Sequence, residues 1–114
     1  MPRDAGLSVR VNPEGLTASA GIEFLAECFG SRWSEAAWGW HLERAFAGES
    51  PDHVLLFDGE RLVAGCGLVY RLLVTPDGAL HRVGVIVTAA TTPEQRGRGH
   101  YARVLRAAAE RGAG

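Results

Sequence analysis

The residues whose types and spacing could do chemistry lie near the end of the chain, in Arg96-Gly97-Arg98-Gly99-His100-Tyr101-Ala102, directly after the polar run Thr91-Thr-Pro-Glu-Gln95. Past them, Tyr101, Val104, Leu105 and Ala108 recur at the spacing of one buried helix face, so a helix is predicted to begin close to residues 96–98. A helix start leaves its first amides without intrahelical partners and carries a partial positive charge, which makes it a receptor for an anion such as phosphate. Gly97 and Gly99 would let that anion approach without meeting a Cβ, and Arg96 and Arg98 would add fixed positive charge.

Other candidates have plainer readings. His100 reads as a partly exposed helix residue, Tyr101 as core, and Glu94 as a carboxylate favoured by the helix dipole. Tyr70 and His81 fall on strands and read as packed or cross-strand residues. Trp33, Trp38 and Trp40 read as core, with an acceptor pocket as the sharper alternative. No catalytic residue can be named, and His41, His53, His81 and His100 are too scattered for a metal site.

The elements that must position the loop follow from patterning. Leu7–Val11 alternates apolar and polar residues and ends at Asn12-Pro13-Glu14-Gly15, a short strand and its turn. From a Thr17 N-cap, Ile22, Leu25, Ala26 and Phe29 repeat at helical spacing up to Gly30. A second helix starts at Ser34-Glu35, with Trp38, Leu42, Ala45 and Phe46 as its stripe before Gly48. His53 to Phe57 is an apolar strand that meets Asp58-Gly59, a hairpin signal. The return strand runs from Arg61 to Thr75, its Gly65 and Gly67 suggesting a bulge or a close backbone neighbour. Pro76-Asp77-Gly78 turns the chain into a third strand, Leu80–Thr91, which ends at the anion loop.

A chain of 114 residues, 46% apolar and 22% charged, has the composition of one globular domain. Ten acids against four arginines leave residues 1–60 at net −6, whereas residues 94–114 hold five arginines against two acids. The positive end is the end with the loop. Cys28 and Cys66 are too few for a disulfide framework and read as reduced, buried thiols of a cytoplasmic protein. No leader-like or membrane-length apolar run is present in the sequence, and the opening Met-Pro-Arg-Asp-Ala-Gly has no apolar h-region.

Strand, two helices, three antiparallel strands, phosphate loop and helix: this order resembles the GNAT superfamily of acyl-CoA-dependent N-acyltransferases, over residues 5–112. The family's signature at the start of its third helix is Arg or Gln, two residues, Gly, one residue, then Gly or Ala. Arg96-Gly97-Arg98-Gly99-His100-Tyr101 fills it up to the last position, where Tyr101 stands instead. Phe29-Gly30 followed by Trp33, Trp38 and Trp40 is similar to the opening helices of a branch of longer, often multidomain members.

The resemblance implies an α+β fold and acetyl-CoA or another acyl-CoA as co-substrate. It implies that the backbone at Ala89, Ala90 and Thr91 pairs with the pantetheine arm, and that the amides of Gly97, Arg98, Gly99, His100, Tyr101 and Ala102, beside Arg96, hold the diphosphate. Chemistry would be attack of a neutral amine on the thioester, with backbone N–H groups stabilising the oxyanion. The amine-bearing acceptor stays open. A fifth strand would begin near residue 115, so residues 1–114 read as a partial domain, lacking the closing strands and completed by a second chain or domain. A catalytically inactive module used for assembly or regulation in a larger protein is the alternative.

Rival motifs fit less well. Gly97-Arg-Gly-His-Tyr-Ala102 matches a dinucleotide fingerprint, but an apolar strand does not run straight into the first glycine. The Lys-Ser/Thr of a nucleotide-triphosphate loop is missing. An RNA-binding module, with Tyr101 as a stacking platform among Arg96, Arg98, Arg103, Arg106 and Arg111, runs against a sequence pI of about 6.4.

Overall fold

The computed structural model describes residues 6–46 and 48–113. Residues 1–5, which carry most of the N-terminal stretch discussed above, lie outside the described residues, as does Gly114. Four strands, β1 (Leu7–Val11), β2 (Asp52–Asp58), β3 (Arg61–Val74) and β4 (Leu80–Thr91), form one sheet in the order β1-β2-β3-β4. Every neighbouring pair is antiparallel. Helix α1 (Ala18–Phe29) joins β1 to the short helix α2 (Glu35–Trp38), and α3 (His100–Ala113) follows β4.

The expected turn chemistry sets this order. Thr17 Oγ1 accepts the Ala20 amide at 3.1 Å, and Gly30 closes α1 in the left-handed region at φ 78°. Ser34 caps α2 through the Ala37 amide, also at 3.1 Å. Asp58 pairs with Arg61 across the two-residue hairpin, where Gly59 has φ 62°.

Two apolar clusters cover the two faces of the sheet. Ile22, Leu25 and Cys28 of α1 pack with Trp38, Leu42 and Ala90 on one face. Val104 and Ala108 of α3 pack with Val54, Leu56, Ala64 and Cys66 on the other.

The second helix is shorter than its stripe predicts. After Trp38 the chain widens into a π-helical turn, Gly39–Glu43, and Arg44 leaves helical geometry at ψ 124°. Widening keeps both Trp38 and Leu42 in the core, while Phe46 swings out to bridge Glu49. The stripe on α1 is also displaced. Its buried residues are Gly21, Ile22, Phe24, Leu25 and Cys28, and Phe29 is 55% exposed. The cause is Gly21: the Trp38 ring lies where its Cβ would be, 1.9 Å from the nearest ring atom, so α1 turns its glycine towards the tryptophan.

The irregularity suggested by Gly65 and Gly67 is present, but the surplus residue sits in β4. Gly65 pairs with Ala90 and Gly67 with Val87, so Cys66 faces both Thr88 and Ala89. Thr88 carries a φ of 49°, a left-handed backbone that a β-branched residue adopts at a cost of about 1–2 kcal/mol. The glycines admit neighbours: a Cβ on Gly65 would sit 2.6 Å from Leu55 Cδ2, and one on Gly67 2.7 Å from Leu42 Cδ2.

Candidate acyl-CoA site

β4 delivers the chain to the loop through a buried joint. The Thr92 amide donates to the Val63 carbonyl at 2.9 Å, and a 3-10 turn, Pro93–Gln95, follows with the Gln95 amide donating back to the Thr92 carbonyl at 2.9 Å. Gly97 and Gly99 then hold φ 80° and 81°, and the space where each Cβ would stand is open.

The first α-helical bond runs from the Arg103 amide to the Gly99 carbonyl at 3.3 Å, so α3 starts later than the sequence predicts. Two left-handed glycines are the reason, since helix cannot propagate through them. Among the described residues, the amides of Gly97, Gly99, Tyr101 and Ala102 donate to no main-chain acceptor. Two glycines without side chains and a helix start therefore share one short, exposed stretch.

Arg96, expected to add fixed positive charge at the loop, also makes structural bonds. Its guanidinium donates to the Cys28 carbonyl at 2.7 Å and to the Thr91 carbonyl at 3.1 Å. Cys28 lies in the last turn of α1, where a cation meets the negative end of the helix dipole. Arg96 thus ties α1 and β4 to the loop. Arg98 is exposed, 3.4 Å from Gln95 Oε1. Glu94 pairs with Arg61, which also holds Glu27 at 3.0 Å.

Two expectations on α3 are corrected. Its buried face is His100, Val104 and Ala108: Val104 and Ala108 are buried as the stripe predicts, but His100, 6% exposed, takes the inward place expected of Tyr101, which is 54% exposed. His100 Nε2 lies 3.0 Å from Gln95 Oε1, a contact that explains how an imidazole is tolerated in this position. An alanine-rich helix offers two nearly equivalent apolar stripes, and the loop decides between them.

The strand before the loop presents the other predicted positions. Ala90 is buried in the α1 face, Thr91 pairs with Ala64, and Ala89 stands in the bulge beside Thr88. The bulge interrupts the ladder and so leaves backbone polar groups turned away from β3.

Tyr70 and His81 stand apart from this region. Tyr70 is buried and donates to Asp52 Oδ2 at 2.6 Å, while His81 is exposed opposite Leu73. The tryptophans do not share one role either. Trp38 is core, Trp33 is half-buried against His41 at 5.2 Å between ring centroids, and Trp40 is exposed beneath Arg44.

Sequence reasoning missed two residues close to the bulge. Thr88 carries no signal, because threonine is ordinary in a strand and its left-handed φ is imposed by pairing. His53 was legible as the first residue of an apolar run and as one of four scattered histidines, yet its ring stacks on Trp38 at 5.5 Å and 5°. Burial lowers the His53 pKa, against the opposing pull of Glu43, the Leu42 main chain and Asp52. Both cysteines are unpaired and buried, and burial pushes the thiols of Cys28 and Cys66 up to about 11. At neutral pH they are not thiolates.

Solved structures share this architecture. An acetyltransferase from Trypanosoma brucei is similar with a TM-score of 0.61 at 19% identity, over 91% of this chain and 72% of that one. A transcriptional regulator from Bacillus halodurans C-125 gives 0.66 at 16%, over 92% and 73%. A GNAT family acetyltransferase from Staphylococcus aureus gives 0.67 at 14%, over 95% and 78%. No curated protein sequence matches the chain.

At such identities the structures carry the fold alone, and the sequence itself supplies the rest. The family model described as the acetyltransferase (GNAT) domain matches residues 17–113, from the Thr17 cap of α1 to the end of α3, loop included, and the chain belongs to that family.

Proposed function

We propose that this protein binds an acyl-CoA, with acetyl-CoA as the natural choice, and transfers the acyl group to an amine. The diphosphate lies on the amides of residues 97–102, and the pantetheine arm runs back along Thr91, Ala90 and Ala89. At about 3.3 Å per strand residue this leads the thioester to the bulge at Thr88, where amides released from the ladder can donate to the oxyanion. The observation that carries this reading is the set of unengaged amides at Gly97, Gly99, Tyr101 and Ala102, fronted by two glycines with open space before them. Arg98 adds charge there.

Residues 17–113 act as one acyl-CoA-binding unit. β4 is the outer strand among the described residues, and its free edge supports pairing with a further strand, from the same polypeptide or from a second chain. Among the described residues, no helix is long and apolar enough to cross a membrane.

Isothermal calorimetry and a thermal shift with acetyl-CoA test the reading, with 3′-dephospho-CoA and pantetheine alone as comparisons. Binding of acetyl-CoA that is lost with pantetheine, and weakened by Arg98→Ala, is the expected result. Equal binding of pantetheine, or no binding of acetyl-CoA, overturns it.

A further inference from the structure

The two residues that bracket the glycine loop touch each other. Gln95 ends the 3-10 turn and His100 begins α3, with Arg96-Gly97-Arg98-Gly99 between them. Gln95 Oε1 lies 3.0 Å from His100 Nε2, so one side-chain contact closes the loop into a ring. A carbonyl oxygen only accepts, which makes His100 Nε2 the donor. The same oxygen lies 3.4 Å from Arg98 Nη1, so a single acceptor gathers the start of the helix and the loop's exposed cation.

Both ends of the ring are anchored. The Gln95 amide donates to the Thr92 carbonyl at 2.9 Å, and Thr92 is fully buried. His100 is buried at the head of the row that continues through Val104 and Ala108. On the other side of the turn, Glu94 pairs with Arg61, which also holds Glu27 of α1. Arg96 is held too, by the carbonyls of Thr91 and Cys28. What remains between these fixed points is Gly97-Arg98-Gly99, two left-handed glycines around an exposed arginine.

Glycine loses more conformational freedom than any other residue when its backbone is fixed. Ordering such a stretch at the moment of binding would take away much of a ligand's affinity, so a loop that is already ordered binds more tightly. The contact across the ring supplies that order without obstructing the site. No atom of Gln95 lies within 4 Å of where a Cβ of Gly97 or Gly99 would stand.

We propose that Gln95 is a positioning residue for the acyl-CoA diphosphate: holding His100 and Arg98 on one oxygen, it keeps Gly97 and Gly99 in their left-handed shape before the ligand arrives. This deepens the acyl-CoA reading and rests on it. Gln95 acts through the loop and touches no ligand. Its side chain is neutral, and the oxygen that makes these contacts would repel a phosphate oxygen.

The test compares the wild type with Gln95→Met, which keeps the length and loses the acceptor, and Gln95→Glu, which keeps the acceptor. NMR relaxation of the ligand-free protein reads the order of the Gly97 and Gly99 amides, and calorimetry reads the Kd of acetyl-CoA. Order parameters should be those of rigid backbone, about 0.85, in the wild type and in Gln95→Glu, and should fall below about 0.6 in Gln95→Met. Acetyl-CoA should bind Gln95→Met about tenfold more weakly than the wild type. His100→Leu should loosen the same two glycines, and adding Gln95→Met to it should weaken acetyl-CoA no further. Should the His100 variant fail to fold, the two Gln95 variants decide. Mobile glycines in the wild type, rigid glycines or an unchanged Kd in Gln95→Met, or a loop as mobile in Gln95→Glu as in Gln95→Met overturns this proposal alone. A wild type that does not bind acetyl-CoA overturns it together with the acyl-CoA reading.

Discussion

The Tyr70 hydroxyl donates to Asp52 Oδ2 at 2.6 Å, joining the middle of β3 to the first residue of β2 beneath the end of α3. Arg111 closes on the same carboxylate at 3.1 and 3.3 Å, and Asn12 donates to it at 2.8 Å. Asp52 is 9% exposed, so its charge is tolerated because these donors surround it. Asp52→Ala would strand all three and should lower unfolding free energy by about 2–4 kcal/mol in urea titration. Tyr70→Phe removes one donor and should cost about 1–2 kcal/mol, leaving the fold intact.

The same carboxylate makes stability depend on acid. Burial pushes the Asp52 pKa up, but hydrogen bonds from Arg111, Tyr70 and Asn12 more than offset it and hold the group below its ordinary value. The unfolded chain therefore takes up a proton before the folded one does. The contribution is complete above about pH 4 and is lost as pH falls through the folded value. Urea midpoints measured from pH 3 to 6 should fall more steeply for the wild type than for Asp52→Asn, which is less stable at neutral pH. Parallel curves for the two proteins would disprove the linkage.

Packing of α1 on the second helix can be tested at one atom. A methyl at Gly21 would overlap the Trp38 ring, which is itself buried and stacked on His53. Gly21→Ala should destabilise the protein by about 1–3 kcal/mol despite its better helix propensity. Tryptophan fluorescence should report the displaced ring. A stabilised variant with an unchanged spectrum would mean that Trp38 does not lie over Gly21.

The loop glycines separate folding from binding. Gly99 has φ 81° with nothing in front of it, so alanine there costs about 1–2 kcal/mol of backbone strain and meets no protein atom. Its methyl would instead project into the space assigned to the diphosphate. Gly99→Ala should fold, with a modestly lower melting temperature, and should weaken acetyl-CoA at least about tenfold by calorimetry. Equal affinity would place the anion elsewhere.

The sequence made the loop, the strand order and the hairpins readable because each rests on short-range chemistry: a cap at Thr17, a turn at Asp58-Gly59, a turn at Pro76-Asp77-Gly78, glycines at 97 and 99. What escaped it depends on contacts between distant segments. Phe29 and Tyr101 were placed inside by helical spacing alone, yet the docking of Trp38 on Gly21 turns the face of α1, and the late start of α3 puts His100 inside in place of Tyr101 while Val104 and Ala108 stay buried as expected. The bond from Arg96, read by its neighbours in sequence as an anion ligand, to a carbonyl 68 positions earlier could not be seen from the sequence. The stacking of His53 on Trp38 likewise joins residues 15 positions apart, on a strand and a helix.

The fold carries one residue that it does not need. Were Thr88 absent, Ala89 alone would oppose Cys66, Ala90 would still meet Gly65 and Thr91 would still meet Ala64, so everything downstream would keep its place while a strained conformer disappeared. A shortened strand of that kind would be an easier one to fold and, on the acyl-transfer proposal, a blunter tool, since there the surplus would serve the reacting groups and not the architecture.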